Sequence, residues 1–257
     1  MTTLVFDCDG VLADTERHGH LPAFNQTFRE VGLPVQWSEE EYGKLLRIGG
    51  GKERMTGIFT PDFVRLAGLP QDRETQLQLV ADWHRRKTAI YTEMVKQGQL
   101  APRPGISRII GEAQDAGWNL AVASTSAEAS VQAILGYAVG SDRASRFDLV
   151  LAGDCVAHKK PAPDIYLLAL EQLKVSAEEV LVIEDSRNGL LAACGAGVRC
   201  LITVNGYTEQ EDFTEATLVV SSLGDPNGEP TQVIANRSQA RPGDFITLAD
   251  LGACLGG

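Results

Sequence analysis

A chain of 257 residues, 44% of them hydrophobic, has apolar material for one large domain or two unequal ones, which excludes a disordered segment. Its net charge of −11 excludes a nucleic-acid surface, which needs a basic stripe, yet permits a few cations around a small anion. No apolar run reaches the ~18–20 residues of a membrane span, so the chain is expected to have no membrane partner. Five cysteines, Cys8, Cys155, Cys194, Cys200 and Cys254, are odd in number and lack CxxC spacing, so free thiols are expected, with Cys194 and Cys200 in the core.

The first element is a buried strand, Leu4-Val5-Phe6, which runs directly into Asp7-Cys8-Asp9-Gly10-Val11-Leu12-Ala13-Asp14-Thr15. With no leader ahead of that strand, a cytoplasmic protein is expected. Side chains alternate along a strand, so Asp7 and Asp9 leave on the same face. Two such carboxylates repel unless a cation lies between them or one is protonated. On these residues alone, an acidic turn and a Mg²⁺ or acid/base site are equally good readings.

Residues 21–31 predict an amphipathic helix, stopped by Gly32-Leu33-Pro34. From Trp37 to Gln97 the pattern is helical, over 39–46, 61–67 and 72–95, and contains no strand. A helical block after a single strand predicts a separate smaller domain over residues 15–101. The remainder, 1–14 with 102–257, forms the larger domain. After Pro102-Arg103-Pro104-Gly105 the rhythm alternates. Helices are predicted over 106–116, 128–135, 163–173 and 189–196, and strands over 119–123, 149–152, 180–183, 199–203 and 217–220. Continuous apolar strands alternating with helices predict an α/β fold with a doubly wound parallel sheet. The tail from Gly224, rich in Gly and Pro, has no assignment.

Ligands of such sheets bind beyond the carboxyl ends of the strands. Those ends carry Asp7 and Asp9, then Ser124-Thr125-Ser126, then Glu184-Asp185-Ser186, with Lys159-Lys160-Pro161 ahead of one helix. Helix capping explains each serine turn taken singly. The acidic clusters together supply oxygen ligands for a hard cation, and the serine turn supplies donors for an anion. His18 and His20 lack a third metal ligand, and Gly49-Gly50-Gly51-Lys52 lacks the spacing of a Walker loop.

Asp7-Cys8-Asp9-Gly10-Val11-Leu12-Ala13-Asp14-Thr15 resembles motif I of the haloacid dehalogenase (HAD) superfamily, DxDGxxxDT. Ser124, Lys160 and Glu184-Asp185-Ser186-Arg187-Asn188-Gly189-Leu190 resemble its motifs II, III and IV in order and spacing. The resemblance implies a Rossmann-like HAD core with an inserted helical C1-type cap hinged near Thr15 and Ala101. It also implies a Mg²⁺ cofactor held by the Asp7 carboxylate, the Asp9 carbonyl and Asp185, with Glu184 binding directly or through water. Asp7 would be the nucleophile and Asp9 the general acid and base. Ser124, beside Thr125 and Ser126, would hold the phosphoryl group, and Lys160 would orient Asp7. The dehalogenases that name the superfamily lack the second aspartate, so Asp9 argues for phosphate chemistry.

The helical insert resembles that of the CbbY proteins, xylulose-1,5-bisphosphate phosphatases associated with Rubisco. The likeness rests on Glu16, His20, Gly49-Gly50-Gly51-Lys52-Glu53-Arg54 and His84-Arg85-Arg86-Lys87, with Lys159-Lys160-Pro161-Ala162-Pro163-Asp164-Ile165-Tyr166 and Gly206-Tyr207-Thr208 outside the insert. It implies that these cap residues bind a second phosphate. The implied reaction converts xylulose 1,5-bisphosphate, a misfire product and inhibitor of Rubisco, to xylulose 5-phosphate and phosphate. The implied partner is a small sugar bisphosphate, with a functional link to Rubisco that requires no contact, and the chain is expected to be a monomer. A β-phosphoglucomutase-like isomerase is similar in all four motifs, but its cap histidine would align near Gly19. A broad sugar-phosphate or phosphoglycolate phosphatase is the third reading.

Overall fold

The structure, a computed structural model, describes residues 2–256. It divides into two units: Thr15–Leu100, and the flanking segments up to Asp14 and from Ala101 onward. The chain starts in the second of these with β1 (Thr3–Phe6), every residue of which is buried.

In the helical unit, Glu16–His20 forms a π-helical turn that runs straight into α1 (Leu21–Glu30). Next come α2 (Glu39–Leu45), α3 (Gly51–Thr56), α4 (Pro61–Leu66) and the 24-residue α5 (Arg73–Lys96). Side chains start three of these: Ser38 and Glu41 cap each other at α2, Thr60 caps α4, and Asp72 caps α5. Phe24 and Phe28 on α1 pack with Trp37 and Tyr42 into one aromatic cluster. Asn25 fastens the intervening loop, since its amide both donates to the Trp37 carbonyl and accepts from the Trp37 N–H, each at 2.8 Å.

The larger unit resumes with α6 (Ile106–Asp115), β2 (Asn119–Ala123), α7 (Glu128–Val139), α8 (Ser141–Ala144) and β3 (Leu149–Leu151). It continues through α9 (Asp164–Leu173), β4 (Val180–Glu184), α10 (Arg187–Gly195), β5 (Arg199–Thr203), β6 (Leu218–Val220), β7 (Val233–Asn236) and α11 (Leu248–Leu255). The sheet order is β3-β2-β1-β4-β5-β6-β7. β1 lies inside the sheet, between β2 and β4, with Val5 opposite Ala121 on one side and Val182 on the other. On α6, Ile106, Ile109, Ile110 and Ala113 follow the helical period and are buried. Each buried Ile is worth about 1.5–3 kcal/mol. Three of them therefore outweigh the missing side-chain cap at Gly105, a loss of roughly a few tenths of a kcal/mol for glycine at that position.

The first six strands are parallel, as expected, whereas β7 is antiparallel to β6. It turns part of the unassigned tail into an edge strand. Further along the tail, α11 packs on β4, β5 and α6. Cys200 is buried as expected, but Cys194 is exposed, because α10 buries Leu190, Ala192 and Ala193 and turns Cys194 outward. Among the described residues no helix is long and apolar enough to cross a membrane.

Candidate active site

The position of β1 between β2 and β4 decides where its carboxylates go. The Asp7 N–H continues the ladder to the Ile183 carbonyl at 2.9 Å, which places Asp7 beside the end of β4. The chain then turns tightly at Gly10, with φ +77°, closed by the Gly10 N–H on the Ala13 carbonyl. A Cβ at Gly10 would lie 2.1 Å from Asp185 Oδ2, so only glycine permits this approach.

Lys160 organises the centre. Its ammonium, itself buried, donates to Asp7 Oδ1 at 2.7 Å, Glu184 Oε1 at 2.6 Å and the Ala123 carbonyl at 2.9 Å. An ammonium has three donors, and all three are used. Burial pushes the Asp7 carboxyl up to about 7; Lys160 opposes the rise, and Glu184 and Asp9 add to it. Burial pulls the Lys160 ammonium down, but Asp7 and Glu184 outweigh it and hold it above its ordinary value, so it remains charged.

Glu184 is fully buried and has both oxygens committed. Oε1 accepts from Lys160 and from the Tyr166 hydroxyl at 2.7 Å; Oε2 accepts from the Asp185 N–H at 3.1 Å and the Ser186 hydroxyl at 3.4 Å. Burial, then the charges of Glu184 and Asp7, raise the Tyr166 phenol well above its ordinary value, so it stays a neutral donor. Glu184 thus fixes Lys160 in place. Ser126 donates its hydroxyl to Asp9 Oδ2, and the Ser126 N–H reaches Ser124 Oγ at 3.2 Å.

Oxygens of Asp7, Glu184 and Asp185 lie within 4.8 Å of one another. This all-oxygen set suits a hard cation. Four carboxylates, with Asp9, face one ammonium here, and the excess negative charge is what a divalent cation would offset. Two contributors carry roles that sequence reading does not assign. Tyr166 ends a segment that resembles CbbY, but inside α9 its pattern is that of a core residue. Asn205, which donates to Asp185 Oδ2 at 2.6 Å, lies beyond β5 on the same sheet edge, immediately before Gly206-Tyr207-Thr208.

Gly189 lies against this cluster: a Cβ there would fall 1.9–2.1 Å from the Glu184 carboxylate. Gly189→Ala is expected to cost about 1–3 kcal/mol, as overpacking does, and to lower turnover by displacing Glu184 from Lys160. Chemical denaturation beside a phosphate-release assay checks both. Unchanged stability would mean that Glu184 has room to move.

The helical unit holds its own buried polar cluster. Glu16 Oε2 accepts from the Tyr42 hydroxyl at 2.5 Å, and Arg54 reaches that hydroxyl at 3.0 Å and Glu16 Oε1 at 3.6 Å. Lys87 Nζ lies 2.6 Å from His20 Nδ1 and over the rings of Phe24 and Tyr91. Gly50, at φ +98°, precedes α3, and Gly51 packs so closely on His84 that a Cβ would lie 2.7 Å from its Nε2. Gly49 precedes them, and Lys52 and Glu53 follow in the first turn.

Arg85 and Arg86 depart from expectation. Arg85 pairs with Asp82 at 2.5 Å and Arg86 with Glu30 at 2.5 Å, all at the surface. The helix period explains this: His84 and Lys87, three apart, share the inward side of α5, and the two residues between them turn outward. Tyr42 takes part instead, a residue with no sequence signal beyond its place in α2.

A model of the haloacid dehalogenase-like hydrolases matches residues 1–197. Protein CbbY of Cereibacter sphaeroides is 42% identical over 225 residues, which cover 88% of this chain and 94% of that one. A CBBY-like protein of Arabidopsis thaliana is 43% identical over 232 residues, covering 89% of this chain and 71% of that one. Among solved structures, CbbY from Rhodobacter sphaeroides in complex with phosphate aligns with a TM-score of 0.77 at 40% identity, over 86% of this chain and 94% of that chain. A mutant of that protein in complex with xylulose-(1,5)bisphosphate aligns over the same shares with a TM-score of 0.76 at 40% identity. The chain belongs to the haloacid dehalogenase-like hydrolases, among them to the CbbY proteins, and is a phosphoric monoester hydrolase.

Proposed function

We propose that the enzyme hydrolyses the 1-phosphate of xylulose 1,5-bisphosphate, through an aspartyl phosphate on Asp7 and with Mg²⁺ as cofactor. The observation that carries this reading is the buried Asp7–Lys160–Glu184 triad beside Asp9. The similarity to a CbbY structure with that bisphosphate bound supports the substrate.

In the first step an Asp7 oxygen forms a bond to phosphorus, the bond from phosphorus to the sugar oxygen breaks, and Asp9 gives its proton to the leaving oxygen. In the second, water attacks phosphorus, Asp9 takes the water proton, and the Asp7 carboxylate leaves. Lys160 holds Asp7 in line and offsets charge as one anion approaches another, and the Ser124 turn steadies the phosphoryl oxygens. Asp7, Asp185 and the Asp9 carbonyl are the groups that would hold Mg²⁺, with Glu184 at its edge; bound there, the cation adds positive charge where phosphoryl transfer needs it. The second phosphate is assigned to Lys52, Arg54, His20 and Lys87 of the helical unit, with Glu16 orienting Arg54 and His84 behind Gly51. Free sugar bisphosphate is the only partner this reaction requires.

One observation weighs against the mutase reading. Gly19, where the mutase histidine would align, packs so closely that a side chain there would have to displace its neighbours: a Cβ would lie 2.7 Å from the Leu100 side chain and 2.8 Å from the Tyr91 ring. Phosphate release with Mg²⁺ tests the substrate. The value of kcat/KM for xylulose 1,5-bisphosphate should exceed that for phosphoglycolate by about 100-fold or more, the scale of one or two charge-assisted hydrogen bonds. Comparable values would overturn the substrate. Glucose 6-phosphate formed from glucose 1-phosphate and a trace of 1,6-bisphosphate would restore the mutase.

A further inference from the structure

We propose that Arg103 is a positioning residue that locks the Asp9-Gly10 turn to the loop holding Asp185, and so sets the geometry of the cation-binding oxygens. The proposal rests on the metal-assisted phosphatase reading. Arg103 lies between two prolines just inside the larger unit, where that unit's two ends run side by side. Ala13 is bridged to Pro102, and the Arg103 N–H donates to the Leu12 carbonyl at 3.0 Å.

The side chain is largely buried, and the groups it binds are unusual for a guanidinium. Nη1 donates to the Gly10 carbonyl, to the Thr203 carbonyl at 2.9 Å and to the Thr203 hydroxyl at 3.3 Å. Nη2 donates to the carbonyls of Val204 at 2.6 Å and Ser221 at 2.5 Å. The acceptors are thus four main-chain carbonyls and one hydroxyl, drawn from the motif I turn and the ends of β5 and β6. A planar fork of donors can hold three loops at once; a lysine, as a point charge, cannot.

Both ends of this clamp reach the catalytic centre. Gly10 follows Asp9 directly, and its α-carbon lies against the Asp185–Asn205 pair: a Cβ would fall 2.1 Å from Asp185 Oδ2 and 2.8 Å from Asn205 Nδ2. Val204 precedes Asn205, which donates to Asp185 Oδ2 at 2.6 Å. Asn205 is itself fixed, accepting from the Tyr207 N–H at 2.9 Å and donating its own N–H to Thr208 Oγ1 at 3.1 Å. A continuous path therefore runs from Gly10 through Arg103 to Val204 by hydrogen bonds, across the peptide bond to Asn205, and by a further hydrogen bond to Asp185. Mg²⁺ demands near-octahedral geometry, so loosening this path weakens the site while leaving its ligands in place.

The test uses the full chain carrying Arg103→Ala or Arg103→Lys. Orienting partners of metal ligands typically contribute 10–100-fold. Arg103→Ala should therefore raise the Mg²⁺ concentration that gives half the maximal rise in Tm by about 10-fold or more, and lower kcat similarly, with little change in KM. Guanidinium at non-denaturing concentrations should restore part of kcat to Arg103→Ala, where the same concentration of sodium chloride does not. Arg103→Lys should be only partly active. If Arg103→Ala does not fold, Asn205→Ala, which leaves the clamp in place but unties Asp185, must show the Mg²⁺ shift. Arg103 variants with a lowered Tm but wild-type Mg²⁺ midpoint and kcat would reduce the residue to a structural staple and overturn the proposal. A wild-type enzyme fully active in EDTA would instead sink the metal reading, and guanidinium rescue of kcat would still decide the role of Arg103.

Discussion

Asp7→Asn is expected to abolish phosphate release, by on the order of 10⁴-fold or more, while raising the melting temperature of the metal-free protein at neutral pH. The first half follows from removing the attacking oxygen's charge. The second follows from the crowding of Asp7 with Asp9, Glu184 and Asp185 around a single ammonium. Burial raises the Asp7 carboxyl from 3.8 to about 7. A carboxyl whose folded value is raised stays protonated in the native state after the unfolded chain has ionised. Stability of the metal-free protein is therefore lost as pH rises from about 4 through about 7, by a few kcal/mol at most. Asparagine keeps the shape and an acceptor for Lys160 but removes that slope. Thermal melts of both proteins in EDTA at pH 5 and pH 8 check it: the variant should gain on the wild type at the higher pH. A variant that melts lower at pH 8 would show that the Asp7–Lys160 attraction outweighs the crowding.

The parts legible in the sequence are those governed by local pattern. Continuous apolar runs announce a sheet covered on both faces, and strand ends announce Asp7, Ser124 and Glu184-Asp185, because the parallel topology sends them to one edge. Thr247 and Asp250, spaced as a capping box, were a readable start signal for α11 inside the unassigned tail. β7 offered no such signal, since Val233 and Ile234 are exposed at the edge and follow no buried alternation. Arg103, Tyr166 and Asn205 act through contacts between residues far apart in the chain, and no local pattern assigns them those contacts, even where, as at Tyr166, the segment resembles CbbY. Arg85 and Arg86 show what a basic run hides. A basic run reads as one feature, but a helix distributes it around its circumference, and only His84 and Lys87 share the inward side.

Lys160→Met should be the most destabilising single change at the site. Methionine matches the stem of lysine but removes all three donors, so Asp7 Oδ1, Glu184 Oε1 and the Ala123 carbonyl lose a partner together. Breaking a buried ion pair from one side costs about 3–5 kcal/mol, because the remaining charge stays buried. Glu184, with its side chain 1% exposed, has no solvent to turn to and keeps only Tyr166, Ser186 and the Asp185 N–H. Neutralising it as well, in Lys160→Met/Glu184→Gln, should return more than half of the lost stability. Turnover should stay down by on the order of 10³-fold in both variants, since neither restores the positive charge that lets Asp7 approach a phosphate. A double-mutant cycle read by denaturation, with Glu184→Gln as its fourth corner, separates the two effects. If the double variant were no more stable than Lys160→Met, the cost would lie with Asp7 and not with the buried Glu184. Activity recovered in the double variant would mean that Lys160 acts on catalysis only by neutralising Glu184, and not through the charge it presents to Asp7 and the incoming phosphate.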